Sequence, residues 1–163
     1  MWKSSLSAIL LAAVAACASY DGRGLVPGQS TEAQVEALMG PSIERRQGPQ
    51  GETHLYYSRL PYGGEMYVAR IGPDGKLRAL EQRLSEKYFA MAKPGVSRKE
   101  DMRALFGPPH QIQQFRRMNR EAWEYPWRGP TSPRLLLLQF SPDGILREIY
   151  SIEDPNGVSM GES

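Results

Sequence analysis

Two short segments of the chain place apolar residues on one side of a helix. The apolar positions follow the spacing i, i+3, i+4: Val35, Leu38 and Met39 in the first segment, and Met102, Leu105 and Phe106 in the second. Each segment ends at a Gly-Pro pair, Gly40-Pro41 or Gly107-Pro108, which is typical of a helix end. Ser30, or Thr31 with Gln34, can cap the first helix, and Ser97 with Glu100 can cap the second.

Stretches that alternate with period two follow each helix and predict antiparallel strands. The predicted strands are 42–47, 54–58, 65–71 and 77–84 in the first half, and 111–116, 123–127, 134–140 and 145–152 in the second. Asp74-Gly75 and Asp143-Gly144 are hairpin signals. The pattern predicts an α+β fold in which a short capped helix packs on a three- to four-stranded antiparallel sheet, twice.

The chain also repeats its own motifs in the same order. Pro27-Gly28-Gln29-Ser30 recurs as Pro94-Gly95-Val96-Ser97, and Pro73-Asp74-Gly75 recurs as Pro142-Asp143-Gly144. Ordered self-similarity of this kind indicates a tandem duplication. We predict repeats at 25–84 and 92–153, a linker at 85–91 and a flexible tail at 154–163.

The third strand of each predicted sheet is apolar on both of its faces. Met66 and Val68, aligned with Leu135 and Leu137, lie opposite the side that faces the helix. An open antiparallel sheet normally has polar residues on its solvent side. Two interpretations are open: the two repeats, or the segment 85–92, cover this face, or the face binds a partner protein.

Three more residues are candidates for partner contact. Trp127 lies in an aromatic row with Trp123 and Tyr125, which is either a core face or a binding platform, and Trp127 is the member expected to be most exposed. Arg116 and Arg117 either contact phosphate or acidic headgroups or belong to a solvated loop edge.

The N-terminus has the layout of a bacterial lipoprotein signal. Lys3 precedes the apolar run 6–14, and small residues then lead to Cys17, the single cysteine of the chain. This order predicts a signal peptide at 1–16, acylation of Cys17 and a tether at 17–24. Two or three acyl chains hold a protein on a bilayer permanently, whereas one chain binds reversibly.

Composition and the lack of catalytic motifs narrow the function. With 20 basic and 18 acidic residues, the net charge of +2 argues against nucleic acid as a partner. His54 and His110 have no cysteine partner, no motif surrounds a serine, and turn chemistry accounts for Asp74 and Asp143. We therefore expect no enzymatic activity, no cofactor and no metal ion.

The second half resembles the SmpA/OmlA (BamE-like) family of outer-membrane assembly lipoproteins. The residues that carry the resemblance run from Lys93 to Ser97 and from Arg103 to Pro109, and include Trp123, Tyr125 and Pro142-Asp143-Gly144. The first half is similar through Pro27-Gly28, Leu38, Gly40-Pro41, Tyr56 and Asp74-Gly75. A doubled unit is also similar in architecture to β-lactamase inhibitor protein-like domains.

The resemblance implies a lipid-anchored, periplasm-facing protein of the outer membrane, and Ala18 after the cysteine resembles enteric lipoproteins sorted there. It implies a protein-interaction module that assists outer-membrane protein assembly or envelope integrity. Its partners would be outer-membrane or periplasmic proteins, including the β-barrel assembly machinery. The alternative is an anchored inhibitor- or chaperone-like binder of a periplasmic enzyme.

Replacing Cys17 by Ser removes the thiol that would be acylated. We expect the Cys17→Ser variant to move from the membrane fraction to the soluble fraction of lysed cells. Mass spectrometry of the wild-type N-terminal peptide should show acyl chains on Cys17. An unmodified Cys17, or a variant that still sediments with membranes, would contradict the lipoprotein prediction.

Overall fold

The computed structural model describes residues 21–156, which form an α+β fold with two four-stranded antiparallel sheets. The predicted signal peptide 1–16, Cys17 and residues 18–20 and 157–163 lie outside the described residues. Each sheet is a meander whose strands neighbour one another in chain order.

The helices and strands follow one another along the chain in nearly the predicted order. The helices are α1 (Glu32–Met39), α2 (Glu86–Phe89) and α3 (Lys99–Phe106). The first sheet contains β1 (Glu44–Gln47), β2 (Thr53–Ser58), β3 (Met66–Ile71) and β4 (Leu77–Gln82). The second sheet contains β5 (Gln111–Phe115), β6 (Arg120–Arg128), β7 (Pro133–Phe140) and β8 (Leu146–Glu153).

The start of α1 follows one of the two predicted caps. Thr31 is the N-cap, and its backbone N–H donates to the Gln34 side chain at 2.8 Å. The predicted cap of α3, Ser97 with Glu100, is wrong. The N-cap is Arg98, and its backbone N–H donates to the Asp101 side chain at 2.8 Å. The Ser97 hydroxyl instead accepts from the N–H of Lys93 at 3.0 Å.

The recurring motifs contact one another. In each half the Pro-Gly loop before the long helix is hydrogen-bonded to the strand that follows the Pro-Asp-Gly turn. The bonds run from Gly28 N to Leu77 O (2.7 Å) and from Leu77 N to Ser30 O (2.8 Å), and again from Gly95 N to Leu146 O and from Leu146 N to Ser97 O (both 2.8 Å). This pairing fixes each helix start against its sheet.

The predicted strands 54–58 and 123–127 align Trp123 with His54, and the strand pairing corrects this alignment by one residue. Leu55 pairs with Ala69, and Trp123 pairs with Leu138. Trp123 therefore occupies the position of Leu55 and not that of His54. A shift of one residue moves a side chain to the opposite face of a sheet.

One face of the first sheet packs against α1. Its core consists of Val35 and Met39 from the helix with Leu55, Tyr57, Ala69, Ile71 and Leu77 from the strands. The chain enters this layer at Gly22, where an added Cβ would overlap the Leu80 side chain and lie 3.6 Å from the Met39 sulfur. Part of the predicted tether is therefore packed on the first sheet.

The opposite face of the first sheet is covered, as one of the two interpretations held. A single core joins Tyr56, Met66 and Val68 to residues of the segment 84–92, of α3 and of the second sheet. These further members are Leu84, Tyr88, Ala92, Met102, Phe106, Trp123, Tyr125, Trp127, Leu136, Leu138, Phe140 and Leu146. The layers thus follow the order α1, first sheet, α2 with α3, second sheet, and the predicted linker 85–91 contains α2 and the buried Tyr88.

Helix α3 is bonded to both sheets. Tyr56 of the first sheet donates its hydroxyl to the Ala104 carbonyl at 2.7 Å, and Arg103 reaches Glu44 at 2.9 Å. Tyr125 of the second sheet donates to the Gly107 carbonyl at 3.0 Å. Within residues 21–156, none of the helices has the length and apolar content needed to cross a bilayer.

Gly107 and Gly40 provide a matched test of this close packing. Both end a long helix with positive φ, at 75° and 85°. An added Cβ at Gly107 would lie 2.9 Å from the Tyr56 ring and 3.1 Å from the Met66 sulfur, whereas nothing lies within 4 Å of one at Gly40.

We expect Gly40→Ala to lower the free energy of unfolding by about 1–3 kcal/mol through backbone strain alone. Gly107→Ala should cost a further 1–3 kcal/mol or so, because it also overpacks the core. Urea unfolding followed by circular dichroism measures both values. Equal losses in the two variants would show that α3 is not tightly packed on the first sheet.

Candidate protein-contact surface

The second sheet has one face that lies opposite the core, and we call it the outer face. Its side chains follow from the strand pairing, because residues paired across antiparallel strands point the same way. Leu135 pairs with Pro126 and Ile152, and Leu137 pairs with Glu124 and Tyr150. The outer face therefore carries an apolar patch made of Leu135, Leu137, Tyr150 and Ile152.

This patch is partly exposed. Tyr150 is 38% exposed and Ile152 is 42% exposed, while Leu135 is half-buried and Leu137 is buried among its neighbours. None of the four belongs to either hydrophobic core of the described residues. Apolar residues that cluster on a surface indicate a site of contact with other molecules.

Three of the predicted contact residues lie in the interior instead. Met66 and Val68 are fully buried, because α3 lies over their face of the first sheet. Trp127 is also buried: its ring packs edge-on against Phe89 with centroids 4.9 Å apart, and its indole N–H donates to Ser151 at 2.9 Å. These three residues therefore leave the set of candidate contact residues.

Arg116 and Arg117 lie at the exposed turn between β5 and β6. Phe115 precedes them and is 37% exposed, and Met118 follows them and is 57% exposed. Phe115 shares the outer face, since it pairs with Arg120 at the end of the sheet. The turn thus adds positive charge and apolar surface at one end of the outer face.

Glu124 is one acidic residue of the outer face, and Glu148 lies on the same face. Glu124 is buried, and this burial raises the pKa of its carboxyl group, although a hydrogen bond from Gln113 and the nearby His110 act in the opposite direction. Gln139, one pair further along the strands, donates its Nε2 to the Tyr150 hydroxyl at 2.8 Å. Within the described residues its buried Oε1 has no hydrogen-bond partner.

A depression of about 310 Å³ lies on the first sheet beside α2 and is lined mainly by charged side chains. Glu52 accepts two hydrogen bonds from Arg70, at 2.8 and 2.9 Å, and Glu81 accepts one from Arg83 at 2.8 Å. The Arg70 guanidinium lowers the pKa of the Glu52 carboxyl group. His54 lies 3.3 Å from Glu52. Because these charges pair with one another, the cluster works as a structural ion network.

The predicted turn aspartates have turn partners. Asp74 accepts from the N–H of Lys76 at 3.2 Å, and Asp143 accepts from that of Ile145 at 3.4 Å. His110 donates its backbone N–H to the Glu124 carbonyl at 2.9 Å. Across residues 21–156, no group of three or more His, Cys, Asp or Glu side chains could hold a metal ion.

Tyr150, Ile152 and Glu124 were not predicted to belong to the surface. The sequence does contain a signal for this surface. Glu148, Tyr150 and Ile152 follow one another at period two, which places them on one face of a strand. Their alignment with the face of Leu135 and Leu137 depended on the register between β7 and β8, which motifs alone do not supply.

Comparison with known proteins adds little to this geometry. No protein-family model matches the chain. No curated protein matches it either. A solved structure that shows weak similarity is a DUF4309 family protein (YjgB) from Bacillus subtilis, with 14% sequence identity and a TM-score of 0.32. The match covers 81% of this chain and 84% of the other.

Glu124→Gln tests the burial of charge in the outer face. An acid whose pKa is raised by folding binds its proton more tightly in the native state than in the unfolded state. The free energy of unfolding therefore falls as the pH rises from the ordinary pKa of 4.5 through the native pKa. We expect Glu124→Gln to have a higher free energy of unfolding than the wild type at pH 7. The difference should disappear at about pH 3.5.

Glu153→Gln is the control, because Glu153 is exposed on β8. Its free energy of unfolding should stay within about 0.5 kcal/mol of the wild type at both pH values. Urea unfolding at the two pH values gives the difference in free energy of unfolding between each variant and the wild type at each pH. A Glu124→Gln variant less stable than the wild type at pH 7 would rule out a carboxylate penalised by burial.

Proposed function

We propose that this chain is a periplasm-facing lipoprotein of the outer membrane that works by binding other proteins. It would act as an accessory to outer-membrane protein assembly or to envelope integrity, without enzymatic activity and without a cofactor. The observation that carries the proposal is the partly exposed apolar patch on the outer face, formed by Leu135, Leu137, Tyr150 and Ile152. Such patches on a small protein usually mark a contact site.

The anchor in this proposal is acylated Cys17. Its support is the order of positive residue, apolar run, small residues and cysteine at the N-terminus. The first described residues agree with a tether at one end of the molecule. Gly22 packs beside Met39 and Leu80 in the layer of α1, three layers away from the outer face.

We further propose that the two halves, 25–84 and 92–153, are tandem repeats of one unit, each a capped helix packed on its sheet. The matching hydrogen bonds from Gly28 and Gly95 support this, as do the matching ion pairs Asp74–Arg78 and Asp143–Arg147, both at 3.0 Å. In this arrangement the second unit covers the face of the first sheet that corresponds to the outer face.

Membership of the SmpA/OmlA (BamE-like) family is part of the proposal. Its support is the resemblance carried by Lys93–Ser97, Arg103–Pro109, the Trp123 and Tyr125 pair and the Pro142-Asp143-Gly144 turn. The exposed turn with Arg116 and Arg117 would extend the contact surface at its polar end.

The combined variant Tyr150→Lys with Ile152→Lys tests the outer face. Two lysines on the apolar patch would have to be desolvated on binding, so we expect proteins that copurify with the wild type from detergent-solubilised membranes to fall roughly tenfold. Quantitative mass spectrometry measures the loss. The matched control is Ile43→Lys with Val96→Lys, because Ile43 and Val96 are 54% and 71% exposed and lie off the outer face.

The identity of the lost proteins separates the roles. Loss of barrel-assembly components supports an assembly accessory, whereas loss of a single periplasmic enzyme supports an anchored inhibitor. The control should retain the wild-type set. If the control and the outer-face variant lose the same proteins, or neither loses any, the outer face is not the contact surface.

A further inference from the structure

The loop between β2 and β3, residues 59–65, carries the most exposed large apolar side chain of the described residues. Tyr62 is 93% exposed, and Val96 follows with 71%. A single apolar residue on a surface is ordinary by itself. The meaning of Tyr62 therefore depends on how the loop is held and on what lies beside it.

The backbone of the loop is held in place from both sheets. The N–H of Arg59 donates to the carbonyl of Glu65 at 2.9 Å, which closes the loop at its base. Leu60 packs against the core that the two sheets share. The Gly64 carbonyl accepts from the N–H of Arg128, at the end of β6, at 3.3 Å. The exposed ring at the tip is thus presented by an ordered loop.

This loop lies beside the point where the described chain begins. Arg59 donates its Nη2 to the Met39 carbonyl at 3.4 Å, and a Cβ added to Gly22 would lie 3.6 Å from the Met39 sulfur. Burial raises the pKa of the Tyr67 hydroxyl, just after the loop, and the nearby Asp21 carboxylate adds to this increase. The tether and the loop are therefore neighbours at one end of the first sheet.

The length of the tether limits how far this end stands from the membrane, and this step rests on the proposed function. The chain advances four residues from Cys17 to Asp21 and spans at most about 14 Å. The polar headgroup layer on each side of a bilayer is itself roughly 5–7 Å thick. An acylated Cys17 would thus keep the loop 59–65 close to the lipid headgroups.

Two surfaces lie next to the tether, and their chemistry differs. The outward side of α1 carries Glu32 and Glu36, while its large apolar residues Val35 and Met39 are buried. Carboxylates lose hydration if they enter an apolar layer. The segment 60–64 reads Leu-Pro-Tyr-Gly-Gly and has no charged side chain. The loop is therefore the better surface for contact with lipid.

The corresponding loop of the second half lacks this feature. Residues 129–132 read Gly-Pro-Thr-Ser and contain no large apolar side chain. The bond between Arg128 and Gly64 places this second loop at the same end of the molecule. The aromatic tip thus belongs to the half of the chain that carries the tether.

We propose that Tyr62 inserts into the interface of the bilayer to which Cys17 is anchored. Its ring lies at the level of the headgroups, where tyrosine and tryptophan are enriched in membrane proteins. This second contact fixes the orientation of the domain. The strands then point away from the bilayer, and the outer face opens sideways to other proteins.

Hydroxyl-radical footprinting tests the proposal on the native side chain. The acylated chain is placed in phosphatidylcholine vesicles at about one chain per vesicle, and the Cys17→Ser chain is mixed with the same vesicles. We expect the oxidation rate of Tyr62 to be about fivefold lower in the anchored chain, because the tether supplies a high effective concentration. Tyr150 is the matched control, since it has the same chemistry and is 38% exposed on the outer face. Its rate should change by less than about twofold, because it lies outside the headgroup layer.

A fluorescent label provides the second readout. Cys17 is the single cysteine of the chain, so acylation leaves an added cysteine as the one free thiol. A label on Tyr62→Cys should be quenched by lipids with a nitroxide on their acyl chains, whereas a label on Val96→Cys should not. Val96 is a suitable control because its loop is bonded to Leu146, at the opposite end of the second sheet from Arg128.

Four outcomes would overturn the proposal. These are equal oxidation of Tyr62 in the two chains, equal quenching at positions 62 and 96, protection that appears only at many chains per vesicle, and protection that requires anionic lipid. The third would indicate contact with a second copy, and the fourth would indicate contact through the arginines. The N-terminal peptide of the same digest reports the anchor separately. An unmodified Cys17 would overturn the proposed function as well, whereas an acylated chain with an unprotected Tyr62 would overturn this proposal alone.

Discussion

The first sheet is apolar on both faces, and the rest of the molecule is arranged to meet that constraint. Leu55, Tyr57 and Ala69 face α1, whereas Met66 and Val68 face the other way. A sheet in water needs a cover on each apolar face, because its exposed side is normally polar. The second half of the chain supplies the missing cover through α3, and the two sheets are thereby fixed in one stack.

Much of this fold was predictable because the sequence contains strong signals for helix ends and turns. Glycine and proline end the two long helices, and the Asp-Gly turns place the last hairpin of each sheet. The predictions that were wrong differ from the structure by a single residue position. Ser97 was predicted to cap α3, but its hydroxyl closes the preceding loop and the helix begins one residue later. Trp123 was aligned with His54, although the strand pairing places it with Leu55.

The candidate surface was predictable only in part, since exposure is decided by the order of layers. The same apolar pattern gives a buried pair at Met66 and Val68 and a partly exposed patch around Leu135. Nothing local in the two strands distinguishes these cases. Trp127 was expected to be the most exposed member of its aromatic row, yet it is buried and the ring of Phe89, from the segment between the halves, packs against it.

Sharing α3 between two sheets also ties the fate of the two halves together. A fragment cut after residue 98 would leave Tyr56, Met66 and Val68 in water, and the remaining piece would keep a helix covered on one side only. Neither fragment would bury the surface that offsets its loss of chain entropy. The chain should therefore unfold in one cooperative transition. Two halves produced separately should therefore aggregate, because neither can fold as an independent domain.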